Sequence, residues 1–271
     1  MIAIHRGELV TDDSIKDDAF TVCAISLLAA ALADVLHEGI GHALIAMLTG
    51  AQSGTLSTVA WSSTFDSRLV QAGGTLVNLM AGAVFWLALT RARQASSEAR
   101  YFLLIACLFH LFDGTGYFFF SAITNFGDWA GVIAGLHPHW VWRVLLFVIG
   151  VASYYGVVLL AGLGFAKYMG VSMKNPRLLR LTPLPYVTAI AVIGISGLFN
   201  PVGIRLVWLS ALPASAGAHS GMLWFRYYIP KSIQASDLTE PISRTYSWIL
   251  TAVPVFLVFV FVLGRGINIS Q

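Results

Sequence analysis

Charged residues are scarce in this chain of 271 residues. Asp, Glu, Lys and Arg make up 11% of it, whereas 57% of the residues are hydrophobic. A soluble domain carries about 25% charged residues, so this chain has too little charge to cover a globule in water. This excludes a soluble enzyme and a disordered regulator, and the absence of any cluster of four Lys or Arg residues excludes a nucleic-acid-binding protein. The sequence therefore predicts a polytopic membrane protein.

Cysteines are also scarce, and so are basic residues near the N-terminus. The two cysteines, Cys23 and Cys107, both lie in apolar runs, so the sequence predicts no disulfide framework. Residues 1–18 carry four aspartates and lack the basic stretch with which a signal peptide begins. We therefore expect residues 1–18 to form a cytoplasmic N-terminal segment.

Long apolar runs, by contrast, are abundant. A membrane-spanning helix needs about 20 mostly apolar residues, and seven stretches meet or approach that length. The sequence thus predicts an all-α bundle of about seven transmembrane helices, or of six if the turn signal at 200–203 only kinks one helix. The predicted spans are 19–49, 69–90, 101–122, 141–166, 183–199, 202–225 and 245–264.

The basic residues alternate between the loops in a way that supports seven spans. Twelve of the 16 Lys and Arg residues precede the first span or follow the second, fourth and sixth spans. Basic loops remain on the cytoplasmic side of a membrane. Seven spans therefore predict a cytoplasmic N-terminus and an extracytoplasmic C-terminus.

Acidic residues and histidines well inside the predicted spans are few and concentrated in three of them. Such residues are costly in lipid, and each one is a functional hypothesis by default. Their concentration predicts a polar site inside the bundle. They are Asp34, His37, Glu38, His42, His110, Asp113 and His219.

The densest cluster is the segment Asp34-Val-Leu-His37-Glu38-Gly-Ile-Gly-His42. Two histidines five residues apart diverge by about 140° on a regular helix, but a π-bulge would bring them to one face, and the two glycines make that distortion inexpensive. Without a bulge, Asp34, Glu38 and His42 share a face instead. Both alternatives predict a metal site and differ in which residues are its ligands.

Other polar residues are further candidates. His110 and Asp113 share one face of the third span, where the alternative is a structural Asp–His pair. Asn78 is a candidate for anchoring a backbone or a substrate, and packing alone explains it equally well. Asp128 lies just beyond the third span and reaches toward the same site unless it only forms a turn. His219 is either a site residue or a core histidine.

The order of three motifs resembles the site-2 protease family of intramembrane zinc metalloproteases. They are His37-Glu38-Gly-Ile-Gly-His42, then Gly74-Thr-Leu-Val-Asn78, then Phe112-Asp113-Gly114. The resemblance covers about residues 19–130 and predicts a protease-like core of three transmembrane helices there, with additional transmembrane helices in 131–271. Residues 52–64 are too polar to span and rich in β-branched and small residues, which predicts an extended or hairpin segment. They occupy the place of the extended segment of that family.

The resemblance implies a specific site. His37, His42 and Asp113 would be zinc ligands, Glu38 the general base, and Asn78 a residue that holds the substrate strand. The implied function is a zinc metalloprotease that cleaves membrane-embedded peptides. The expected partners are a transmembrane peptide or lipid substrate and the surrounding lipids, with no nucleic acid.

Three alternatives remain at the level of sequence. One is a zinc hydrolase of lipid amides, similar to alkaline ceramidases, in which His219 and Ser220 would take part. Another is a carboxylate-rich iron oxidoreductase built on the regular-helix face of Asp34, Glu38 and His42. The third is a non-catalytic protease homologue that binds membrane partners, which the lengthened His–His spacing favours.

Overall fold

A computed structural model describes residues 16–200, 205, 207–231 and 240–270. The described chain is mostly helical, which confirms the all-α transmembrane bundle. Six of its helices are long and apolar enough to cross a membrane. They are α1 (Ala19–Thr49), α2 (Arg68–Arg91), α3 (Ser97–Thr124), α5 (His139–Met169), α6 (Leu178–Gly197) and α7 (Tyr246–Leu263). A five-residue helix, α4 (Asp128–Val132), lies between α3 and α5.

Side-chain caps explain where the first three helices begin. Asp18 accepts a hydrogen bond from the backbone N–H of Thr21 at 2.9 Å, and Ser67 and Ser96 play the same part at α2 and α3. Each cap satisfies one of the N–H groups that the first helical turn leaves without a partner. Inside lipid the remaining backbone groups must be paired within the helix itself.

A small antiparallel sheet covers one end of the bundle. It consists of β1 (Ser53–Leu56), β2 (Trp61–Ser62) and β3 (Ile267–Ser270), in the order β2-β1-β3. β1 and β2 form a hairpin within the predicted extended segment 52–64, which is thereby confirmed as extended. β3 comes from the far end of the chain, so the sheet ties α7 to the hairpin that follows α1.

The opposite end of the bundle gathers basic and acidic side chains. Arg177 forms a buried two-pronged ion pair with Asp17, at 2.7 and 2.9 Å, and Arg244 pairs with Asp18 at 3.0 Å. Burial tends to raise the pKa of the Asp18 carboxyl, but hydrogen bonds from Thr21 and Arg244 hold it below its ordinary value. The start of α1 and strand β3 thus lie at opposite ends of the bundle; which end faces the cytoplasm stays a prediction.

The predicted sixth span is not one continuous helix. Residues 201–204 and 206 lie outside the described residues, and the rest is divided by proline and glycine into short helical pieces. Even so, these pieces run from Val207, which packs against Val59 near the sheet, to Tyr228, whose backbone lies against Gly162 of α5. Among the described residues the continuous apolar helices therefore number six, the smaller predicted count. The pieces are Val207–Ala211, Pro213–Gly217, Gly221–Trp224 and Phe225–Tyr228.

The main apolar core lies between α1, α3, α5 and α6. Its largest fully buried side chains are aromatic, and the aromatic rings pack edge-to-face or offset, as between Tyr101 and Phe165. This core holds α3 at the centre of the bundle. The central place of α3 matters for the site, because α3 lies between α1, which carries the His-Glu segment, and the short pieces around His219.

Candidate metal centre

A π-helical stretch in α1 brings the two histidines of the densest cluster together. Residues Leu36–Leu44 form a π-helix within α1, and the Nε2 atoms of His37 and His42 lie 3.2 Å apart. A π-helix stacks residues five apart, whereas a regular helix would separate them. The π-bulge alternative is the one that the fold adopts, and Asp34 and Glu38 are not in the group of donors that could hold a metal.

Glycines on two helices make room for this distorted stretch. A Cβ added at Gly41 would lie 2.6 Å from the backbone nitrogen of Gly74, and a Cβ at Gly73 would overlap the carbonyl oxygen of Gly41. The backbones of α1 and α2 therefore touch, which only small residues permit. This contact determines how closely α2 packs against the His-Glu segment of α1.

The third donor of the cluster is Asp128, at the start of α4. Its Oδ2 atom lies 3.3 Å from Nε2 of His37 and 3.4 Å from Nε2 of His42. In the described part of the chain, these three residues are the group that could hold a metal ion. Gly127, with φ +83°, turns the chain out of the loop and into α4, so that Asp128 faces the histidines.

Asp113, which the resemblance implies as the third ligand, lies elsewhere. Its Oδ1 atom is 3.1 Å from Nε2 of His219, and the ring of His219 stacks on Phe109. Asp113 therefore forms the Asp–His pair that was the structural alternative, but with His219 instead of His110. The structure brings Asp128 to the two histidines in its place.

Hydrogen bonds to Nδ1, the ring nitrogen that faces away from the other donors, orient both histidines. Nδ1 of His42 lies 2.7 Å from the carbonyl oxygen of Val70, which can only accept, so Nδ1 carries a proton and Nε2 is the nitrogen left to bind an ion. Nδ1 of His37 lies 3.1 Å from the amide of Asn78, whose other end contacts Nδ1 of His110 at 2.9 Å. Metal-binding histidines are held in this way by partners behind them.

The amide of Asn78 suits either tautomer of His37. Its oxygen and nitrogen occupy nearly equivalent positions, and their assignment follows from the hydrogen-bond network. With the oxygen turned toward His37, the amide accepts the Nδ1 proton and leaves a lone pair on Nε2. Asn78 therefore serves as the anchor that the sequence analysis considered, and what it anchors is an imidazole.

Two observations test whether a metal fits among the three donors. Oδ2 of Asp128 is sealed from solvent and has no well-directed hydrogen bond among the described residues. A Cβ added at Gly74 would lie 2.5 Å from Nε2 of both His37 and His42, so the space between these atoms depends on the glycine. A carboxylate oxygen sealed from solvent beside two ring nitrogens, next to a space that glycine leaves open, fits a bound cation.

Charge at the site favours a cation as well. Burial tends to raise the pKa of the Asp128 carboxyl, but attraction to the protonated forms of His42 and His37 outweighs it and holds the pKa well below its ordinary value. Asp128 is therefore a carboxylate at neutral pH. A cation that binds there would displace these protons from the two histidines, as metal binding to histidine does. One carboxylate and two imidazole lone pairs are hard-to-borderline donors of the kind that zinc and iron accept.

Glu38 lies beside the cluster and is held by the hairpin. Its Oε2 accepts a hydrogen bond from the backbone N–H of Trp61 at 2.8 Å, and its Oε1 is 4.0 Å from Nε2 of His37. One carboxylate oxygen is thus fixed, and the other faces the donors. This is the place for a general base that takes a proton from a water at the site.

The cluster forms the floor of an open cleft. The cleft has a volume of about 730 Å³ and lies between the hairpin, the start of α2, the end of α3 and α4. Tyr117, whose ring stacks on His37 at 5.0 Å, lines it together with Trp61. The sequence analysis did not select Tyr117, although it lies two helical turns after His110 on the same face of α3, a signal that could have found it.

The remaining candidates lie outside the donor group. His110 is fully buried, stacks on Phe85 and contacts the cluster only through Asn78. Asp34 is half-buried, within electrostatic range of Glu38 and Asp113. Together with the pair of Asp113 and His219, these residues form a second polar group deeper in the bundle.

The fold and the site define a polytopic membrane protein with a buried His/Asp cluster that could hold a metal. No protein-family model, curated protein or solved structure matches the chain. The geometry of the site is thus what supports a function.

Proposed function

We propose that this protein is an intramembrane zinc-dependent hydrolase that cleaves peptide bonds in membrane-embedded substrates. The observation that carries the proposal is the arrangement of His37, His42 and Asp128, with three donor atoms 3.2–3.4 Å apart and the carboxylate of Glu38 alongside. The proposal departs from the resemblance at the third ligand. This ligand is Asp128, which follows α3, and not Asp113 within α3.

The spacing of the donors favours tetrahedral zinc over octahedral iron. Donor atoms about 2.0–2.1 Å from a shared ion lie about 3.3–3.4 Å apart in a tetrahedron and about 2.9 Å apart in an octahedron. The observed separations of 3.2, 3.3 and 3.4 Å agree with the tetrahedron. Two histidines and one carboxylate also leave a fourth position free, which is typical of catalytic zinc.

The residues around the cluster then have separate tasks. When bound, zinc supplies Lewis acidity to a water and to the substrate carbonyl. Glu38 accepts the proton of the attacking water through the oxygen that Trp61 leaves free, and later donates it to the departing amine. Val70 accepts the Nδ1 proton of His42, and Asn78 accepts that of His37 when its amide oxygen faces the ring, so that the Nε2 lone pairs are directed toward the cleft.

The walls of the cleft suit an extended peptide. Residues 59–63, which include β2, line it beside the donors, and β2 is an edge strand of the sheet. A peptide chain that pairs with an edge strand is held in the extended form, which exposes its carbonyl groups. A substrate helix would unwind to enter.

The position of the cluster along α1 predicts where along its length a substrate is cut. His42 lies seven residues before the end of α1, about 10 Å along the helix axis. The cleft opens at the end of the bundle that carries the sheet. We therefore expect cleavage near that membrane boundary and not at the middle of a substrate helix.

The test compares the wild-type protein with Glu38→Gln after purification in detergent and loading with zinc. Both are incubated with fluorescein-labelled casein, as an unfolded peptide substrate, and in parallel with a fluorescent N-acyl sphingosine. We expect wild-type protein to bind about one zinc per chain and to cleave casein, and Glu38→Gln to bind zinc equally without cleaving.

Each other outcome contradicts the proposal in a different way. Hydrolysis of the lipid amide without cleavage of casein would replace the peptidase by a lipid amidase. Iron in the purified protein in place of zinc would favour oxidative chemistry. A protein that takes up no metal would be a non-catalytic binder of membrane partners.

A further inference from the structure

Tyr117 lies beside the donor group, in the wall of the cleft. Its ring stacks on that of His37, with an interplanar angle of 21°, and meets Phe120 edge-on. It lines the cleft together with Glu38, His42 and Asp128. Of the tyrosines on the described chain, it is the one beside the metal donors.

The hydroxyl of Tyr117 differs from those of three buried tyrosines in the described chain. The hydroxyl of Tyr168 has no partner and is sealed from solvent. Tyr101 donates to the carbonyl oxygen of Leu181 at 2.8 Å, and Tyr154 donates to that of Ala218 at 2.7 Å. Among the described residues the hydroxyl of Tyr117 has no such acceptor, and it is not among the polar atoms sealed from solvent. A tyrosine in an apolar bundle ordinarily pairs its hydroxyl, so this one is an unused donor that is open to the cleft.

The charges near the hydroxyl are those of the reaction centre. The carboxylates of Glu38 and Asp128 line the same cleft as Tyr117, whose ring stacks on His37. A substrate carbonyl bound in the cleft beside these donors would therefore lie next to the phenol. An O–H group aimed at that place stabilises the negative charge that develops on the carbonyl oxygen.

We propose that Tyr117 is a catalytic residue, whose hydroxyl donates a hydrogen bond to the oxyanion of the tetrahedral intermediate. The inference rests on the proposed hydrolase function. In that reaction the oxygen of water forms a bond to the carbonyl carbon, the C–N bond breaks, and the proton accepted by Glu38 goes to the departing nitrogen. Tyr117 keeps its own proton throughout and acts only as a hydrogen-bond donor.

The experiment measures binding of a tetrahedral anion and needs no substrate. Cobalt(II) is loaded in place of zinc, because its visible absorption reports both metal binding and the entry of an anion. Methylphosphonate is the probe, since its oxygens resemble the oxyanion of the intermediate. Tyr117→Phe keeps the ring on His37 and removes only the hydroxyl; Tyr155→Phe, on the exposed side of α5, is the matched control.

We expect Tyr117→Phe to bind cobalt as tightly as wild type and methylphosphonate roughly tenfold to a hundredfold more weakly. Tyr155→Phe leaves both values unchanged. Equal methylphosphonate binding by wild type and Tyr117→Phe overturns the inference, as does a wild-type spectrum that methylphosphonate does not alter. Loss of cobalt from Tyr117→Phe alone also overturns it, because Tyr117 would then only support His37. A wild-type protein that takes up no cobalt instead refutes the proposed function itself.

Discussion

Two groups of histidine and aspartate are buried in the same bundle, and they differ in how their lone pairs are directed. In the cluster of His37, His42 and Asp128, three donor atoms converge, and the ring nitrogens behind them are held by Val70 and Asn78. In the deeper pair, His219 meets one oxygen of Asp113, and its Nδ1 has no partner in the described part of the chain. Both groups look alike in the sequence.

The difference shows what a metal centre needs beyond suitable residue types. A partner that holds the proton on one ring nitrogen keeps the lone pair of the other directed at the ion. A third donor must also complete the set, since two atoms do not enclose an ion. A buried Asp–His pair without these features is an ion pair or a hydrogen bond, with its own effect on stability.

The sharpest test of this contrast removes one histidine from each group. His42→Ala should reduce bound zinc from about one ion per chain to nearly none, because the variant loses a donor and the set is no longer complete. His219→Ala should keep its zinc. Metal analysis of the two purified variants measures the effect, and loss of zinc from both would end the distinction between the groups.

The glycine beside the donors provides the next largest effect. Gly74→Ala should abolish zinc binding, because the added methyl group would lie 2.5 Å from Nε2 of both histidines. Gly156→Ala on α5 is the control, since a Cβ there meets nothing within 4 Å, and in a helix it should be neutral or stabilising by up to about 1 kcal/mol. Zinc content and thermal unfolding in detergent are the measurements. A zinc-binding Gly74→Ala variant would show that the donors lie farther from α2.

Substitution of each of the two aspartates in turn tests which one is the ligand. Asp128→Asn should weaken zinc binding by more than about 100-fold, because even the residues behind metal ligands contribute 10–100-fold. Asp113→Asn should change the affinity only slightly and lower thermal stability instead, since it alters a buried pair with His219. Competition with a chelator measures the affinities. The reverse order of effects would restore Asp113 as the third ligand.

The smallest expected effect concerns the residue behind His37. Asn78→Ala should weaken zinc binding roughly 10–100-fold, because it removes the partner of Nδ1. Asn78→Asp supplies an acceptor for the same proton and should recover much of the affinity. Equal affinities in Asn78→Ala and wild type would mean that the amide has only a packing role.

The sequence analysis correctly predicted the class of fold and the main polar segment of α1. Low charge and long apolar runs are sufficient for the former, because lipid leaves few structures other than helices for a spanning chain. The π-bulge was one of two alternatives, since Gly39 and Gly41 permit the distortion without requiring it. The extended segment at 52–64 was predictable from its polar and β-branched residues.

Other features could not be predicted from sequence spacing. Asp113 and Asp128 are both plausible third ligands on one-dimensional evidence, and the choice depends on how α3 rotates about its axis and on the turn at Gly127. The pairing of Asp113 with His219 joins residues more than a hundred positions apart. The division of the predicted sixth span into short pieces likewise depends on what packs around it.

The sequence by itself determined that this is a helical membrane protein with ionisable side chains concentrated in a few helices, because hydropathy and charge are sums over local residues. The tertiary structure alone decided which of these side chains converge. Convergence of His37, His42 and Asp128 requires the π-helical stretch, the contact of Gly41 with the glycines of α2, and the turn into α4 to act together. The first and the last are local conformations that glycine permits without requiring, and the contact between α1 and α2 joins distant segments. Packing therefore decides whether all three occur together.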